Sequence, residues 1–422
     1  MQYKGVNYTS TWNSDYLNST CATNCDQLKS TGASWAQVFI PLVMASATAN
    51  VVTMNTTTLT PTDAAVVKAI SDLHTRGIAV GIHFGIVDPN GSVLQANVNP
   101  SNMAAWFASY GAAVTHYATI AQANGVEMFS IGTEMDTIDV ANLPLWTTLI
   151  SSVRTCYKGP LSYSANWYKY TKTCFWGLLD VLGIDGYFPL SNSQTPTVAE
   201  IVAAWSGTNP QGRNWMQELQ TFQAAQGKPL IFTEIGFESA DYPAEGNPGS
   251  GSYNPMAQAN CYEGTYQAFA NATWFSGLFW WQWFPNTTNV PLPGSNMGWT
   301  PQYKTAQTVM KKYWGGGTTT QLLASKSGTS NTAYGDTQVA TTVTCVSPAT
   351  GTIGTAVNIT GKLTRNDTGA GVAGQPVQLQ LNGADVTGKT ATTAADGSYT
   401  ISYTETVIRT DAFDVTFAGA TV

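Results

Sequence analysis

Apolar and polar positions follow two different periods along the first 315 residues of the chain. Eight short and nearly continuous apolar runs predict strands, at Tyr3–Tyr8, Trp35–Val43, Ile78–Val87, Met128–Glu134, Leu161–Trp167, Val181–Phe188, Leu230–Phe237 and Leu278–Trp283. Segments with helical spacing lie between them, for example Ala64–Arg76, Ala104–Asn124, Leu145–Tyr157, Asn214–Gln226 and Ala257–Ala270. Apolar strands separated by helices are typical of a parallel sheet that is covered by helices.

The number of these units predicts the fold. Eight strand and helix units in about 310 residues fit a (β/α)8 TIM barrel, and the predicted fold class is α/β. A doubly wound open sheet is the alternative. It would need a Gly-rich phosphate-binding loop after an early strand, and the sequence contains none.

The pattern changes after Trp314. All 14 Trp lie at or before this position, and the residues that follow are rich in Gly, Thr and Ser, as in a linker. Further on, alternating runs such as Val357–Leu363 and Ser398–Tyr403 are separated by turn signals such as Asn382-Gly383, which predicts a small all-β sandwich of immunoglobulin type. The predicted domains are a barrel (1–315), a linker (316–338) and an immunoglobulin-like sandwich (339–422).

The charge content is low. Asp, Glu, Lys and Arg make up 10% of the residues and the net charge is −7, against a usual charged fraction of about a quarter. The scarcity of Lys and Arg argues against nucleic-acid binding, and no apolar run approaches the roughly 20 residues that a membrane span requires. A polar surface with few ionic groups favours a secreted or cell-surface protein, although no signal peptide precedes the first strand. Eight Asn-X-Ser/Thr sequons fit this location but also arise by chance in so Thr-rich a chain.

Six cysteines form an even set. This number permits disulfides, with fifteen possible connectivities for three bonds. Buried free thiols are an equal alternative, and the spacing does not choose between them.

Metal-ligating and nucleophilic motifs are sparse. His74 and His116 lie on helix-like segments, where a surface or packing role is expected, whereas His83 lies in a strand and could reach the barrel mouth or be a core residue. The sequence contains no His-Glu-x-x-His, no close Cys/His cluster and no Gly-x-Ser-x-Gly. We therefore predict no metal and no cofactor.

Two glutamates follow apolar strands where barrel enzymes carry their chemistry. Glu134 ends the fourth predicted strand and Glu234 lies near the end of the seventh, so both are expected at the barrel mouth. A structural hydrogen bond at a strand end is the alternative for either residue alone. Two carboxylates about 5 Å apart cleave a glycosidic bond by double displacement, whereas a gap of roughly 6.5–9.5 Å admits a water and implies inversion.

Other polar and aromatic residues are expected around this pair. Asp185, on the sixth strand, shares its side-chain parity with Tyr187, so both are candidates for substrate contact. Asp136 and Glu238 lie beyond the strand ends, where loop or cap roles are more usual. Sugars stack on Trp and Tyr rings through their C–H faces, and the candidate rings are Trp167, Tyr187, Trp281 and Trp283.

These residues resemble those of the clan A glycoside hydrolases, in particular family 113, which includes β-mannanases. The resemblance covers most of the first 315 residues, and its signal is the order of short strings at successive strand ends. The strings are Lys4–Tyr8, Ile131–Glu134, Arg154–Trp167, Leu182–Leu190, Phe232–Phe237 and Gly298–Lys304.

The resemblance implies roles for individual residues. Glu134 would be the general acid/base and Glu234 the nucleophile, with Tyr187 hydrogen-bonded near the nucleophile. The sugar subsite would be shaped by Asn166, Trp167 and Trp281 or Trp283. Most clan A enzymes have Asn before the acid/base, where it binds the sugar 2-hydroxyl; this chain has Thr133, which leaves the choice between mannose and glucose open.

The preferred hypothesis is a retaining glycoside hydrolase that cleaves a β-linked polysaccharide. Within this class, an endo-β-1,4-mannanase is the favoured activity. A β-glucanase or another β-glycosidase of the clan is the alternative. A catalytically silent carbohydrate-binding surface protein and a surface protein that uses the barrel as a spacer are the others. The segment Glu238–Gln258 is longer than a usual strand-to-helix connection and predicts a loop over the sugar cleft, with a disordered insertion as its alternative.

Overall fold

The computed structural model describes residues 1–10, 12–88, 93, 95–246, 251–286, 296–315, 321–322, 325–326, 338–366, 368–404, 406 and 411–421. The chain forms two compact units. The first consists of Met1–Val290, Met297–Gln302 and Val309–Gly317, and the second of Pro291–Asn296, Tyr303–Thr308 and Thr318–Val422. Most of the predicted linker, 316–338, lies outside the described residues, so the predicted domain boundaries stay a prediction.

The first unit contains a closed barrel of eight strands in sequential order. All neighbouring pairs are parallel, and β8 closes the barrel against β1. The predicted TIM barrel is confirmed, and each predicted strand forms, with ends that shift by a few residues. The strands are β1 (Tyr3–Tyr8), β2 (Trp35–Val43), β3 (Ala79–Val87), β4 (Met128–Thr133), β5 (Leu161–Asn166), β6 (Leu182–Asp185), β7 (Leu230–Ile235) and β8 (Phe275–Trp283).

The described residues contain eight α-helices, and five of them match predicted segments. None of the helices that the structure describes is both long and apolar enough to cross a membrane. The helices are α1 (Cys21–Ser30), α2 (Asp63–His74), α3 (Met103–Ala123), α4 (Leu143–Cys156), α5 (Val198–Trp205), α6 (Trp215–Gln226), α7 (Pro255–Phe269) and α8 (Thr305–Trp314).

Side-chain caps fix where several of these helices begin. The side chains of Thr62, Asn102, Asn214 and Asn254 each accept a hydrogen bond from a backbone N–H in the first turn of their helix. Thr197 caps α5 within a full capping box. Such caps satisfy backbone donors that the helix itself leaves unpaired. Except for Asn214, which follows helix α5, these caps end the loops that start at the C-terminal ends of the strands.

The barrel interior changes from apolar to polar towards those C-terminal ends. Its floor is an apolar cluster of Tyr3, Met128, Val181, Ile231 and Phe279. Above the floor, the Asn7 and Gln37 amides both donate to the carbonyl oxygen of Thr233, at 3.0 and 2.8 Å, and Gln37 also donates to Asn7 Oδ1 at 3.0 Å. This polar layer links β1, β2 and β7 beneath the mouth.

The second unit contains an all-β region, as predicted. Ile359 and Leu379 come from different sheets and share one buried core. The sheet that contains Ile359 and the sheet that contains Leu379 therefore pack as a small sandwich. Asn382 and Gly383 both have left-handed backbone (φ 51° and 84°) and join the strands Pro376–Leu381 and Ala384–Thr392, as expected for this turn signal. The immunoglobulin type of the sandwich stays a prediction.

The strands of this region form three sheets. Two are antiparallel, in the orders β10-β17-β14-β15 and β12-β13-β16, and the third, β11-β9-β18, is mixed. Their bounds are β9 (Gln321–Leu322), β10 (Ser325–Lys326), β11 (Gln338–Val339), β12 (Thr341–Val343), β13 (Ala356–Arg365), β14 (Pro376–Leu381), β15 (Ala384–Thr392), β16 (Ser398–Thr404), β17 (Phe413–Phe417) and β18 (Ala420–Thr421).

The cysteines are all free thiols in the structure. All six lie among the described residues, and Cys21, Cys25 and Cys261 are buried. Of the two alternatives that the sequence left open, the structure has the free thiols.

Candidate active site

The two glutamates lie at the same end of the barrel. Glu234 is the fifth residue of β7, and Glu134 follows the last residue of β4. The Glu134 backbone is left-handed (φ 48°), and its N–H donates to the carbonyl oxygen of Ser164 on β5 at 2.7 Å. Because all eight strands are parallel, both carboxylates belong to the C-terminal mouth, where barrel enzymes have their active sites.

Two donors hold the Glu234 carboxylate, which is largely buried with 7% of the residue exposed. His83 Nε2 lies 2.8 Å from one oxygen, and the Tyr187 hydroxyl donates to the other at 2.8 Å. His83 is itself fixed, since Ser164 Oγ lies 3.3 Å from its Nδ1 and Thr133 Oγ1 lies 3.4 Å from its Nε2. Donors on both oxygens stabilise the ionised form of a carboxylate and fix its direction.

Glu134 has a different environment from Glu234. The Gln95 amide donates to its carboxyl at 3.3 Å, and Gln95 is oriented by the backbone N–H of Ile86 at 3.1 Å. Burial, and then the nearby Glu234 charge, raise the pKa of Glu134 to about 8. Glu134 is therefore the carboxyl group of the pair that can supply a proton at neutral pH, and Glu234 is the one whose two oxygens are both held by neighbouring side chains.

Asp185 lies behind this pair in the barrel interior. It has no exposed surface, and the Thr233 hydroxyl donates to its Oδ1 at 2.8 Å. Burial, followed by the charges of Glu234 and Glu134, raises its pKa well above the usual range. The sequence predicted that Asp185 touches substrate, whereas the structure places it in the interior with no exposed surface. His83 is likewise fully buried, so it positions Glu234 and does not line the cleft.

Aromatic rings surround the mouth. Trp281 is partly exposed and meets Phe39 edge-on, with 5.5 Å between the ring centroids. Trp299 meets the Tyr187 ring in the same way at 5.4 Å. Gly236 allows this packing, since a Cβ there would lie 2.7 Å from the Trp281 carbonyl oxygen and 3.0 Å from the Trp299 ring. A side chain at 236 would displace the Trp281 backbone and the Trp299 ring.

Trp283 differs from its predicted role. The ring is fully buried, with 0% of the residue exposed, so it packs in the interior and has no surface for a sugar. Trp280 is buried as well and stacks on Tyr262 of α7 at 3.7 Å. Of the three Trp on β8, Trp281 alone has exposed surface, because the helical layer and the surrounding chain cover the other two.

Asn166 and Trp167 lie at the end of β5. Asn166 keeps 8% of its surface exposed, and Trp167 is half-buried against Phe188 and Trp215, at 5.5 and 5.7 Å. Asn166 pairs in register with Asp185 of β6. Asn166 and Trp167 thus lie at the C-terminal end of the barrel, where a substrate would bind. Their contact with a substrate stays a prediction.

The predicted loop Glu238–Gln258 is ordered where the structure describes it; 247–250 lie outside the described residues. Asp241 accepts hydrogen bonds from the Ser252 N–H at 3.1 Å and from the Asn254 amide at 2.8 Å. Helix α7 begins three residues before the predicted end of the loop. Whether this loop covers a bound sugar stays a prediction.

The sequence of this site places the chain in a known family. The family described as Glycoside Hydrolase Family 113 matches residues 6–304, which is more than half of the chain and includes both glutamates. The chain belongs to glycoside hydrolase family 113.

Solved structures agree with this assignment in fold. A "GH113 beta-1,4-mannanase" solved as a complex is 22% identical, with a TM-score of 0.63, over 75% of this chain and 99% of that one. The GH113 β-mannanase AaManA from Alicyclobacillus acidocaldarius, in complex with ManMIm, is 20% identical, with a TM-score of 0.64, over 74% and 97% of the two chains. At these identities the likeness is one of fold. A search of curated proteins found no significant match.

As a member of family 113 the protein is a glycoside hydrolase. Sequence patterns found both glutamates, Tyr187 and Trp281, but they missed Gln95 and Ser164 and gave no role to Trp299. Gln95 lies in a loop segment after β3, and Ser164 is one of several small polar residues on β5. Ser164 had only its position near the C-terminal end of β5 as a signal, and Gln95, eight residues after the end of β3, had none.

The Tyr187 hydroxyl is expected to support catalysis by this family 113 site. Tyr187→Phe removes the donor to Glu234 and keeps the ring against Trp299. A hydrogen bond to a charged group contributes about 1.5–3 kcal/mol, so kcat should fall by roughly ten- to one-hundredfold. Steady-state kinetics on the best substrate measure this, and thermal unfolding checks that the variant is folded. An unchanged kcat would mean that the hydroxyl does not act on Glu234.

Proposed function

We propose that this glycoside hydrolase is a retaining endo-β-1,4-mannanase, with Glu234 as nucleophile and Glu134 as general acid/base. The observation that carries the proposal is the contrast between the two carboxyl groups: Glu234 has donors on both oxygens, and Glu134 has a raised pKa. The mannanase names of the similar structures favour mannan as the substrate class.

In the first step, one Glu234 oxygen attacks the anomeric carbon. The bond from that carbon to the glycosidic oxygen breaks, and its electron pair goes to the leaving oxygen. Glu134 donates its proton to that oxygen, so the leaving sugar departs as a neutral alcohol. The product is a covalent ester between the sugar and Glu234, with Glu134 ionised.

In the second step, Glu134 takes a proton from a water molecule. The water oxygen attacks the anomeric carbon, and the ester bond to Glu234 breaks. Glu134 is again protonated and Glu234 is again a carboxylate. Tyr187 stays protonated throughout, since burial and the Glu234 charge raise the pKa of its hydroxyl well above 10, so it donates to Glu234 at each stage.

Thr133 supports a mode of sugar recognition that departs from the clan. Its hydroxyl donates to the Phe84 carbonyl oxygen at 2.5 Å, and only 1% of the residue is exposed. Most clan members have an Asn at this position, and its side chain binds the sugar 2-hydroxyl. In this chain the Thr133 hydroxyl is bonded within the barrel wall. The sugar 2-hydroxyl is bound by another residue, and Asn166 is our candidate because it retains exposed surface at the end of β5.

A panel of polymers tests the substrate class. Purified protein is incubated with β-mannan, β-glucan and xylan, and the release of reducing ends is measured. Release from mannan, with short oligosaccharides as early products, supports the proposal. Release from glucan alone would favour the β-glucanase alternative. Binding of a polymer without any release would favour the silent carbohydrate-binding protein.

The stereochemical course follows from the roles of the two glutamates. We expect the carboxyl groups to lie about 5 Å apart, too close for a water between carboxylate and sugar, so the reaction should retain configuration. NMR of the anomeric proton during early hydrolysis measures it. A β-anomer that forms first from the β-linked substrate is the expected result. An α-anomer that forms first would require inversion and would exclude Glu234 as nucleophile.

A further inference from the structure

The turn that carries Glu134 is closed by three hydrogen bonds that the proposed catalytic steps do not use. The Met135 backbone N–H donates to the Tyr163 hydroxyl at 2.8 Å, and that hydroxyl donates to Asp139 Oδ2 at 3.0 Å. The Asp139 backbone N–H donates to the Met135 carbonyl oxygen at 2.9 Å. The three bonds form a closed ring, which joins the residue after Glu134 to β5.

The side chains of this ring are buried and fixed. Tyr163 and Asp139 have no exposed surface, and the Tyr163 ring packs edge-on against Trp146 of α4, with 5.8 Å between the ring centroids. The Thr173 hydroxyl also donates to Asp139 Oδ2, at 3.3 Å. Burial, and then the Asp139 charge, raise the pKa of the Tyr163 hydroxyl well above 10. The hydroxyl therefore keeps its proton, so it can accept from Met135 and donate to Asp139 at the same time.

The backbone of Glu134 has a conformation that needs such support. Its φ of 48° lies in the left-handed region, where a residue other than glycine persists only when the surrounding structure holds it. One support is the bond from its own N–H to the Ser164 carbonyl oxygen, and the ring provides a second through the next peptide. Without the Tyr163 hydroxyl, the Met135 N–H would lose its acceptor, and the turn would have to rearrange to satisfy it.

We propose that Tyr163 and Asp139 are positioning residues for the acid/base of this enzyme. They hold the peptide between Glu134 and Met135, and this peptide directs the Glu134 carboxyl group towards the glycosidic oxygen. The inference rests on the proposed role of Glu134. Because neither Tyr163 nor Asp139 is exposed, their effect on the reaction passes through Met135 and not through contact with the substrate.

The first test compares kcat/KM for phenyl and 2,4-dinitrophenyl β-mannobiosides. This constant reports the steps up to cleavage of the glycosidic bond, which needs the Glu134 proton for phenol but not for dinitrophenol. A catalytic group that is misplaced by about 1 Å can lose roughly one-hundredfold in rate, so Tyr163→Phe should lower kcat/KM about ten- to one-hundredfold for the phenyl glycoside and less than about twofold for the dinitrophenyl glycoside. Asp139→Asn keeps an acceptor oxygen, so it should show the same pattern with a smaller loss.

Tyr157→Phe is the matched control. Tyr157 is 1% exposed, and its hydroxyl donates to the Val126 carbonyl oxygen at 2.8 Å. Val126 precedes β4, so this bond lies at the opposite end of the strand from Glu134. Both Tyr→Phe variants lose a buried bond to the backbone and should have lower unfolding midpoints. Only Tyr163→Phe should change the ratio of the two kcat/KM values.

A double-mutant cycle decides whether Tyr163 acts through the acid/base. If it does, adding Tyr163→Phe to Glu134→Gln should cause no further loss on the phenyl glycoside. A full additional loss in the double variant, equal losses of Tyr163→Phe on both glycosides, or unchanged rates would each overturn the inference. If Tyr163→Phe does not fold, Asp139→Asn decides by the same ratio and the same cycle.

The proposed function is tested separately by the same substrates. If Glu134→Gln lowers kcat/KM equally for both glycosides, or for neither, Glu134 is not the general acid and the inference fails with it. A leaving-group effect in Glu134→Gln that is missing in Tyr163→Phe overturns the positioning role alone. If the unmodified protein cleaves only the matching β-glucosyl pair, mannan is wrong, and the ratio measured on that pair decides the positioning role.

Discussion

Glu234→Gln should reduce turnover by on the order of 10⁴–10⁶-fold without loss of the fold. The amide keeps the shape of the carboxylate but is not a nucleophile, and it replaces the group whose two oxygens are held by His83 and Tyr187 at the barrel mouth. Removal of a nucleophile that acts with its partners as a unit has effects of this size. Single-turnover and steady-state kinetics on an aryl β-mannoside measure the loss.

Two further variants make this test specific to position 234. Glu218→Gln replaces a glutamate on α6 that pairs with Arg213 at the surface, and it should leave the rate unchanged. Glu234→Ala supplied with azide and an activated β-glycoside should form the α-glycosyl azide, because azide then attacks from the side of the missing carboxylate. Formation of the β-glycosyl azide, or near-normal turnover by Glu234→Gln, would contradict the assignment of Glu234 as the nucleophile.

Glu134→Gln should reduce kcat by about 10²–10⁴-fold on substrates with a poor leaving group, which is the usual contribution of a general acid. With a 2,4-dinitrophenyl leaving group, formation of the glycosyl-enzyme should be nearly unaffected, because that group departs without a proton. In the unmodified enzyme the acid must be protonated, and burial and Glu234 raise the pKa of Glu134 to about 8. Activity should therefore fall as the pH rises through about 8, and the variant should lack this decrease.

Thermal unfolding provides a control that does not depend on turnover. Burial and the Glu234 charge raise the pKa of Glu134 from its usual value of 4.5 to about 8, so the folded chain binds this proton more tightly than the unfolded chain. The stability that this proton contributes is present below about pH 4.5 and is lost as the pH rises through about 8. As the pH rises across this range, the unfolding midpoint temperature of Glu134→Gln should therefore increase relative to that of the unmodified protein. A constant difference would mean that Glu134 is not held protonated by the fold.

The fold was predictable from the sequence because its strands are nearly uniform apolar runs. Few folds other than a barrel accommodate eight such runs between helical segments. The exact ends of the elements were less predictable: the run Val181–Phe188 is interrupted by a single charged residue, Asp185, and β6 ends at that residue. Helix α1 was missed because Asn24 and other polar residues interrupt its apolar face.

The site was predictable only in part, for a physical reason. The apolar pattern of a strand indicates which residues lie at its C-terminal end, and this pattern identified Glu134 and Glu234. It does not show how deep a residue lies in the barrel, so Asp185 and Trp283 were expected in the cleft and are fully buried. Contacts between strands far apart in sequence, such as that of His83 with Glu234, depend on the closed barrel and leave no local pattern.

The left-handed backbone at Glu134 (φ 48°) has a use in protein engineering. Glycine adopts this conformation readily, whereas other residues adopt it at a conformational cost. Glu134→Gly thus removes the proposed acid/base and relaxes the main chain in one substitution, and on that proposal it opens space for an added nucleophile next to the anomeric carbon. Position 134 is therefore the natural starting point for converting this hydrolase into a catalyst that joins sugars from activated donors.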